Sequence, residues 1–485
     1  MNVLHIISDQ HQAACMGCEG HEQAITPNMD RLAAEGMRFA KAYAQNPICT
    51  PSRMSIYTGQ YCHNHGYYGL GGPRPEGMQS YLGHFRQHGY RTGAVGKLHV
   101  PNEPRDWLLD HVDLWASCTS APTISSGPSP YHRYLQALGL ADSNDNLQIT
   151  GYVSPHPSGF PQNQLRARPS HLPLEHNVES WCVRQAIEFM ERYGAGPFCL
   201  QVSLPRPHAA YTPDQQFWDL YPDDIELSPT FDQDPSGRPP HFRRTHQRFR
   251  AVWDDQREPE YEAAARNIWR GYLGCVSQVD YGLGLLLDYL DASGLAGNTL
   301  VVYNADHGAY STCMGIQEKA PGICSELVCR VPMIWRVPEV TAAGAVCGEL
   351  VENIDMTPTL MALCGLPVMA GMDGVDLSGL LHGGTEAVKE LAVTEHPHSK
   401  ALRWGPWRYV HYQPGDFADA DVPHGSDFGE LYHLEDDPHE TRNLYGDPAF
   451  CEVVVEGERK LAEWLVATRH VRNTFSGGPN SDNYL

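Results

Sequence analysis

The sequence has no long hydrophobic run. Nowhere do about 18 apolar residues follow one another, so no segment has the makeup of a membrane-spanning helix. Positive charge is scarce: 35 Lys and Arg stand against 58 Asp and Glu, a net charge of −23. That balance argues against a nucleic-acid backbone or an anionic membrane as partner. It also means that an anionic substrate needs a locally positive pocket. The opening MNVLHIIS lacks the basic and extended apolar regions of a secretory signal, so a cytoplasmic location is expected. A cysteine pattern is missing as well. The 14 cysteines are scattered, and reduced thiols are expected rather than a disulfide framework. Internal repeats are absent. With 41% apolar and 19% charged residues, the chain reads as globular, not disordered. Its 485 residues exceed a comfortable single core, so one large domain with a smaller partner is expected.

What is present alternates between two periods. NVLHIIS, TGAVGKLHV, PFCLQVSL (197–204) and NTLVVYNA (298–305) read as buried strands. TPNMDRLAAEGMRF reads as a helix with Thr26 as N-cap and Pro27 in its first turn. A long helix is marked by Ile268, Tyr272, Val276, Val279, Leu283, Leu286 and Leu290, ending before Gly294. This alternation predicts an α/β fold on a mainly parallel sheet over residues 1–385. Residues 101–176 and 210–258 break the rhythm and read as excursions that wall a site. From about 386 to 485, short alternating runs (ELAVTEHP, WRYVHYQ, GELYHL) precede a helix capped by Asp447 and Pro448. They predict a smaller α+β domain on an antiparallel sheet. The tail FSGGPNSDNYL offers a contact to a second copy of the chain, which makes a homo-oligomer one option.

Chemistry collects at expected strand ends. Asp9 and Gln10 close one strand, and Asp306 and His307 follow another; ligands in open α/β sheets bind beyond such carboxyl ends. Two carboxylates, an amide carbonyl and an imidazole suit a divalent cation. Helix capping by each Asp is the plain alternative. Lys97 and His99 sit two apart after GAVG, on one face if extended. His208, with Arg206 before it, follows a third strand, and Lys319 lies 12 residues beyond His307. Each taken singly also reads as a solvated charge or a packed histidine.

Cys49 opens the stretch CTPSRMSIYTG. Pro51 fits a first helical turn, so Cys49 stands at a helix N-terminus, where anions are favoured. A redox thiol, a zinc ligand and a thiolate nucleophile are all open readings, although a thiolate mismatches a hard oxygen set. Cys15-x2-Cys18, flanked by His11 and His21, is a separate zinc or redox candidate. A non-catalytic anion-binding protein is a third class.

Together these residues resemble the type I sulfatases of the alkaline phosphatase superfamily. Cys49-Thr50-Pro51-Ser52-Arg53, with Thr58-Gly59, is similar to the C-x-P-x-R signature, whose cysteine is oxidised to Cα-formylglycine by a formylglycine-generating enzyme. SDQH, GKLH, SLPRPH, ADHG, IDMTPTL and LYHLEDDPHETRNL resemble further family segments in order. The resemblance implies an alkaline-phosphatase-like fold and hydrolysis of a sulfate monoester of a sugar or small organic alcohol. It implies one divalent metal, usually Ca²⁺ with Mn²⁺ or Mg²⁺ as alternatives, held by Asp9, Gln10, Asp306, His307 and converted Cys49. Arg53 would steady the nucleophile, and Lys97, Lys319 and His208 would neutralise the sulfate. His99 would assist the nucleophile, while His208 or Lys319 would protonate the leaving oxygen. Two positions depart from the common pattern: Gln10 where many sulfatases have Asp, and His307 where they have Asn. That set also resembles phosphonate monoester and phosphodiester hydrolases, which differ in lacking the lysine–histidine pair. Selectivity is expected from the excursions and from His63, His65, His396, His398, Trp404 and Trp407.

Overall fold

A computed structural model describes residues 1–72, 77–100, 107–118, 128–141, 165–254, 261–319, 323–412 and 428–470. Its main sheet has eight strands: β1 (Asn2–Asp9), β2 (Met37–Tyr43), β3 (Arg91–Gly96), β4 (Leu114–Ser117), β5 (Phe198–Pro207), β6 (Thr299–Ala305), β7 (Met333–Arg336) and β8 (Ala345–Glu352). The order is β4-β3-β5-β1-β6-β7-β2-β8. Only β7 runs antiparallel to its neighbours, β6 and β2; the other pairings are parallel. β1, β5 and β6 are buried along their whole length, as central parallel strands covered on both faces must be.

Alternation along β1 assigns the faces. Val3 and Ile7 pack with Met54, Ile56 and Tyr57 of the helix Cys49–Thr58. Leu4 and Ile6 pack with Leu283 and Leu286 of the long helix Tyr261–Ala292. The result is a sheet between two helical layers. A second sheet, β12-β11-β10-β9, is antiparallel and made of β9 (Ala392–His396), β10 (Ser399–Trp404), β11 (Trp407–Tyr412) and β12 (Gly429–His433), with the helix Cys451–Thr468 against it. Asp447 caps that region by accepting the Ala449 amide at 3.0 Å.

Three local expectations need correction. The helix after Thr26 spans Pro27–Glu35, and Met37–Phe39, read as its end, open strand β2 instead. Gly36 separates the two, because a side chain there would meet Trp335 O. Thr26 stands at the N-cap position, yet its hydroxyl accepts from Gly17 and donates to Asp30. The cap is Asp280 of the long helix, which accepts from Asn28 N at 2.9 Å and Met29 N at 2.7 Å. Within 210–258, read above as an excursion that breaks the rhythm, the charged HFRRTHQRFR is part of a helix, Pro240–Asp254, whose Phe242 and Phe249 are buried. Arg238 ties this excursion to the second sheet, bonding Glu430 at 3.1 Å and the Tyr432 hydroxyl at 2.7 Å. Much of 101–176 and the whole tail 475–485 lie outside the described residues.

Two consequences can be measured. Asp280→Ala should lower folding stability by about 1–3 kcal/mol, because the first-turn amides of Asn28 and Met29 lose their acceptor; an unchanged denaturation midpoint would refute the remote cap. His5 is buried between the Tyr81 hydroxyl and Asn304, each 2.8 Å away. Burial foremost pushes its pKa from 6.5 down to about 4. The unfolded chain therefore takes up a proton that the folded one refuses, and stability falls as pH drops from about 6.5 to about 4. His5→Gln should show a shallower fall over that window in chemical denaturation series.

Candidate active site

The four adjacent strands β3, β5, β1 and β6 each deliver a polar side chain at the same sheet edge. Asp9 is the last residue of β1, Asp306 follows β6, Lys97 follows β3 and His208 follows β5. Gly96 makes the turn into Lys97: its φ is +94°, and a side chain there would meet Ser203 O at 1.9 Å. His99 has φ +48°, so the stretch after Gly96 is not extended through it, yet Lys97, Arg53 and Asp9 still act on its ring. Lys97 Nζ lies 2.5 Å from Asp9 Oδ2, whereas His99 Nδ1 is buried without a partner.

Facing these strand ends is the helix Cys49–Thr58, all ten of whose residues are buried. Cys49 is its first residue, and Pro51 sits in the first turn, as expected. One turn on, Arg53 reaches back to the sheet. Its Nε donates to Asp306 Oδ2 and its Nη2 to Asp9 Oδ2, both at 2.8 Å. Its Nη1 donates to Lys97 O at 2.7 Å and Ser203 Oγ at 2.8 Å. Ser52 Oγ adds a bond to Asp306 O at 2.5 Å. Neither serine's part was legible, since a serine within a helix or strand carries no signal of its own.

Asp306 Oδ1 accepts the amides of Gln10 at 3.0 Å and His307 at 2.9 Å. His307 Nδ1 donates to Gly308 O, which leaves Nε2 as the lone-pair nitrogen. Among the described residues, Asp9, Asp306 and His307 form the one acid–histidine set whose donor atoms lie within 4.8 Å of one another. Asp9 Oδ1 and His307 Nε2 are buried with no hydrogen-bond partner. Two buried acceptors orphaned side by side fit a cation, so these residues suit a divalent metal. Gln10 stands differently. Its Oε1 already accepts from Lys319 Nζ at 3.2 Å, which leaves one lone pair of that oxygen for a cation.

Lys319 Nζ also lies 3.4 Å from His208 Nε2. His208 Nδ1 donates to Ala209 O at 2.8 Å, so Nε2 accepts from the ammonium. Burial first, then Lys97 and Lys319, hold His208 well below the usual histidine range. Burial, Lys97 and Arg53 push His99 down to about 3. Lys319 is raised although burial opposes it, because Cys49, Glu318 and Asp9 surround it. The Cys49 thiol is lowered despite burial, through Lys97 and Lys319. Three cations, Arg53, Lys97 and Lys319, thus meet the carboxylates Asp9 and Asp306 beside neutral imidazoles. His99, His208 and Lys319 keep partial exposure, while Asp9, Gln10, Asp306 and His307 are buried, so an entering anion meets the former three first.

The remaining sequence candidates lie elsewhere or are already committed. Cys15 donates to Gln12, His11 bonds the Tyr303 hydroxyl and Cys15 O, and His21 accepts from Gln23 and Ala24. No zinc set forms there. His63 pairs with Glu395, and His65 bonds Ser55. Trp404 is buried in the core of the second sheet and Trp407 packs on it, against His433 and Phe450. His396 and His398 cluster with His241 of the helix Pro240–Asp254, with ring centres 4.2 and 5.4 Å apart.

Comparison with known proteins identifies the family. The family model described as Sulfatase matches residues 1–366, and one described as N-sulphoglucosamine sulphohydrolase, C-terminal, matches 323–467. An N-acetylglucosamine-6-O-sulfatase of Bacteroides thetaiotaomicron is 26% identical, covering 95% of this chain and 86% of its own. A choline-sulfatase of Rhizobium meliloti is 27% identical, covering 92% and 83%. The phosphonate monoester hydrolase of Silicibacter pomeroyi shares the fold with a TM-score of 0.78 at 21% identity, over 96% of both chains. A structure solved with D-glucosamine-2-N,6-O-disulfate has a TM-score of 0.74 at 22% identity, over 96% of this chain and 98% of that one. The sulfatase family implies a divalent metal and a formylglycine. With its fold, its signature helix and nearly full-length relatives in agreement, the chain belongs to the sulfatase family and is a sulfuric ester hydrolase.

Proposed function

We propose that the chain hydrolyses a sulfate monoester of a sugar, or of another small organic alcohol, at Cys49 converted to Cα-formylglycine. The observation that carries this is the meeting of Asp9, Asp306 and His307 with Lys97, Lys319 and Arg53 at the first turn of the Cys49 helix. When present, the hydrated formylglycine and the divalent cation supply a hydroxyl nucleophile acidified at neutral pH. Asp9, Asp306 and His307 would hold the cation, with Gln10 and the converted Cys49 completing the set. Ca²⁺ suits the oxygens, and Mn²⁺ or Mg²⁺ is the alternative that the imidazole of His307 keeps open.

The chain's own groups then divide the work. Lys97, Lys319 and His208 offset charge on the sulfate oxygens. Arg53 locks Asp9 and Asp306 and steadies the nucleophile from one helical turn away. His99, neutral at working pH, takes a proton on the nucleophile's side. Lys319, kept as an ammonium, gives one to the departing alcohol oxygen. The sugar-sulfate and choline-sulfate relatives support substrates of that size. Residues of 101–176 and 210–258, with His241, His396 and His398, are proposed to set selectivity. We also propose the division near residue 385, a cytoplasmic location, maturation by a formylglycine-generating enzyme, and the tail as a contact between copies.

A phosphonate monoester hydrolase is the second reading, favoured by Gln10, His307 and the fold match. Side-by-side turnover of an aryl sulfate and an aryl phosphonate decides between them. The sulfate should have the higher kcat/KM; a higher value on the phosphonate rejects the first reading. Cys49→Ala should cut turnover by roughly 10³-fold or more, and the peptide carrying Cys49 should weigh about 18 Da less than its cysteine form. Stripping divalent metal should reduce turnover by about tenfold or more, and re-addition of Ca²⁺, Mn²⁺ or Mg²⁺ in turn identifies the ion that restores it.

A further inference from the structure

Gln10 adopts φ +68°, a left-handed conformation that non-glycine residues avoid unless something holds them there. Two groups do so. Asp306 Oδ1 accepts its amide at 3.0 Å, and the Tyr272 hydroxyl donates to its carbonyl at 3.0 Å. The same hydroxyl accepts the Gln12 amide at 2.8 Å. One phenol oxygen therefore bridges the main chain on both sides of His11. Tyr272 comes from the middle of the helix Tyr261–Ala292 and is fully buried. Its ring is stacked on Trp269 and set edge-on to Tyr211, with ring centres 5.8 and 6.0 Å apart, so the hydroxyl cannot drift. His11 is fixed in turn by the Tyr303 hydroxyl at 2.7 Å.

We propose that Tyr272 is a positioning residue for the Asp9–Gln10 arm of the metal site, holding the left-handed turn after β1 in ligand geometry before a cation arrives. The inference rests on the reading of Asp9 and Gln10 as metal ligands. Removal of the hydroxyl would leave the Gln10 carbonyl and the Gln12 amide buried and unpaired, and the turn would relax toward an ordinary conformation. Partners behind metal ligands commonly change affinity by about 10–100-fold when lost.

The test is calorimetric titration of metal-stripped full-length protein with Mn²⁺, and separately with Ca²⁺, for wild type, Tyr272→Phe and Tyr211→Phe. Tyr211 is an equally buried phenol whose hydroxyl is bonded by Gln317 instead. Tyr272→Phe should weaken binding about tenfold or more, with KM for the ester unchanged and kcat reduced at limiting metal. Tyr211→Phe should bind like wild type. Equal weakening in both variants, or wild-type affinity in Tyr272→Phe, overturns the inference. Wild-type protein that binds neither ion overturns the metal reading as well, so the two failures are distinguishable. Should Tyr272→Phe not fold, hydrogen exchange on the metal-free wild type answers the same question. Protection of the Gln12 amide without metal supports the pin, and protection that appears only after metal is added overturns it.

Discussion

The Arg53 guanidinium is the knot of this structure. It stands one turn into the signature helix, and its bonds reach the ends of β1, β6 and β3 and the body of β5. Four strands from distant parts of the chain are thereby held to the helix that carries Cys49. The pairing with Asp9 and Asp306 is wholly buried, and removing one side of such a pair costs on the order of 3–5 kcal/mol. The site and the fold are for this reason not separable. The contact that orients the carboxylates also closes the sheet edge against the helix layer.

Electrostatics follows from that knot. The chain carries −23 overall, yet the site gathers Arg53, Lys97 and Lys319 around two carboxylates. A protein this acidic repels a sulfate ester at long range and has to attract it locally. Burial strengthens the local field and at the same time keeps His99 and His208 neutral. Neutral imidazoles thus stand beside a retained ammonium, Lys319, in one buried cluster.

Several residues behaved otherwise than their local pattern suggests, and each time a distant group was responsible. Thr26 has the composition and place of a cap, but Asp280, about 250 residues later, takes the helix amides. Lys97 and His99 look like part of an extended run, but Gly96, where a side chain would meet Ser203 O, ends β3 just before them, and His99 is left-handed. The Arg-rich stretch at 241–250 lies in a segment read as an excursion, yet its two phenylalanines are buried in a helix and Arg238 ties the segment to the second sheet. Trp404 and Trp407 are expected to set selectivity, but Trp404 lies in the core of the second sheet and Trp407 packs against it.

The α/β alternation, the helix beginning at Cys49, the strand ends at Asp9 and Asp306, and the family to which the chain belongs were all legible in the residue pattern. Those features are written in short-range periodicity and in motifs a few residues long, where backbone geometry leaves little freedom. Packing of distant segments was needed to bring these residues to the carboxyl ends of four adjacent strands, to set Arg53 against both carboxylates, and to place Gln10 beside Lys319. It also places Tyr272 behind the Gln10 turn. Contacts separated by some 260 residues depend on strand order and on packing between layers, and no local pattern encodes either.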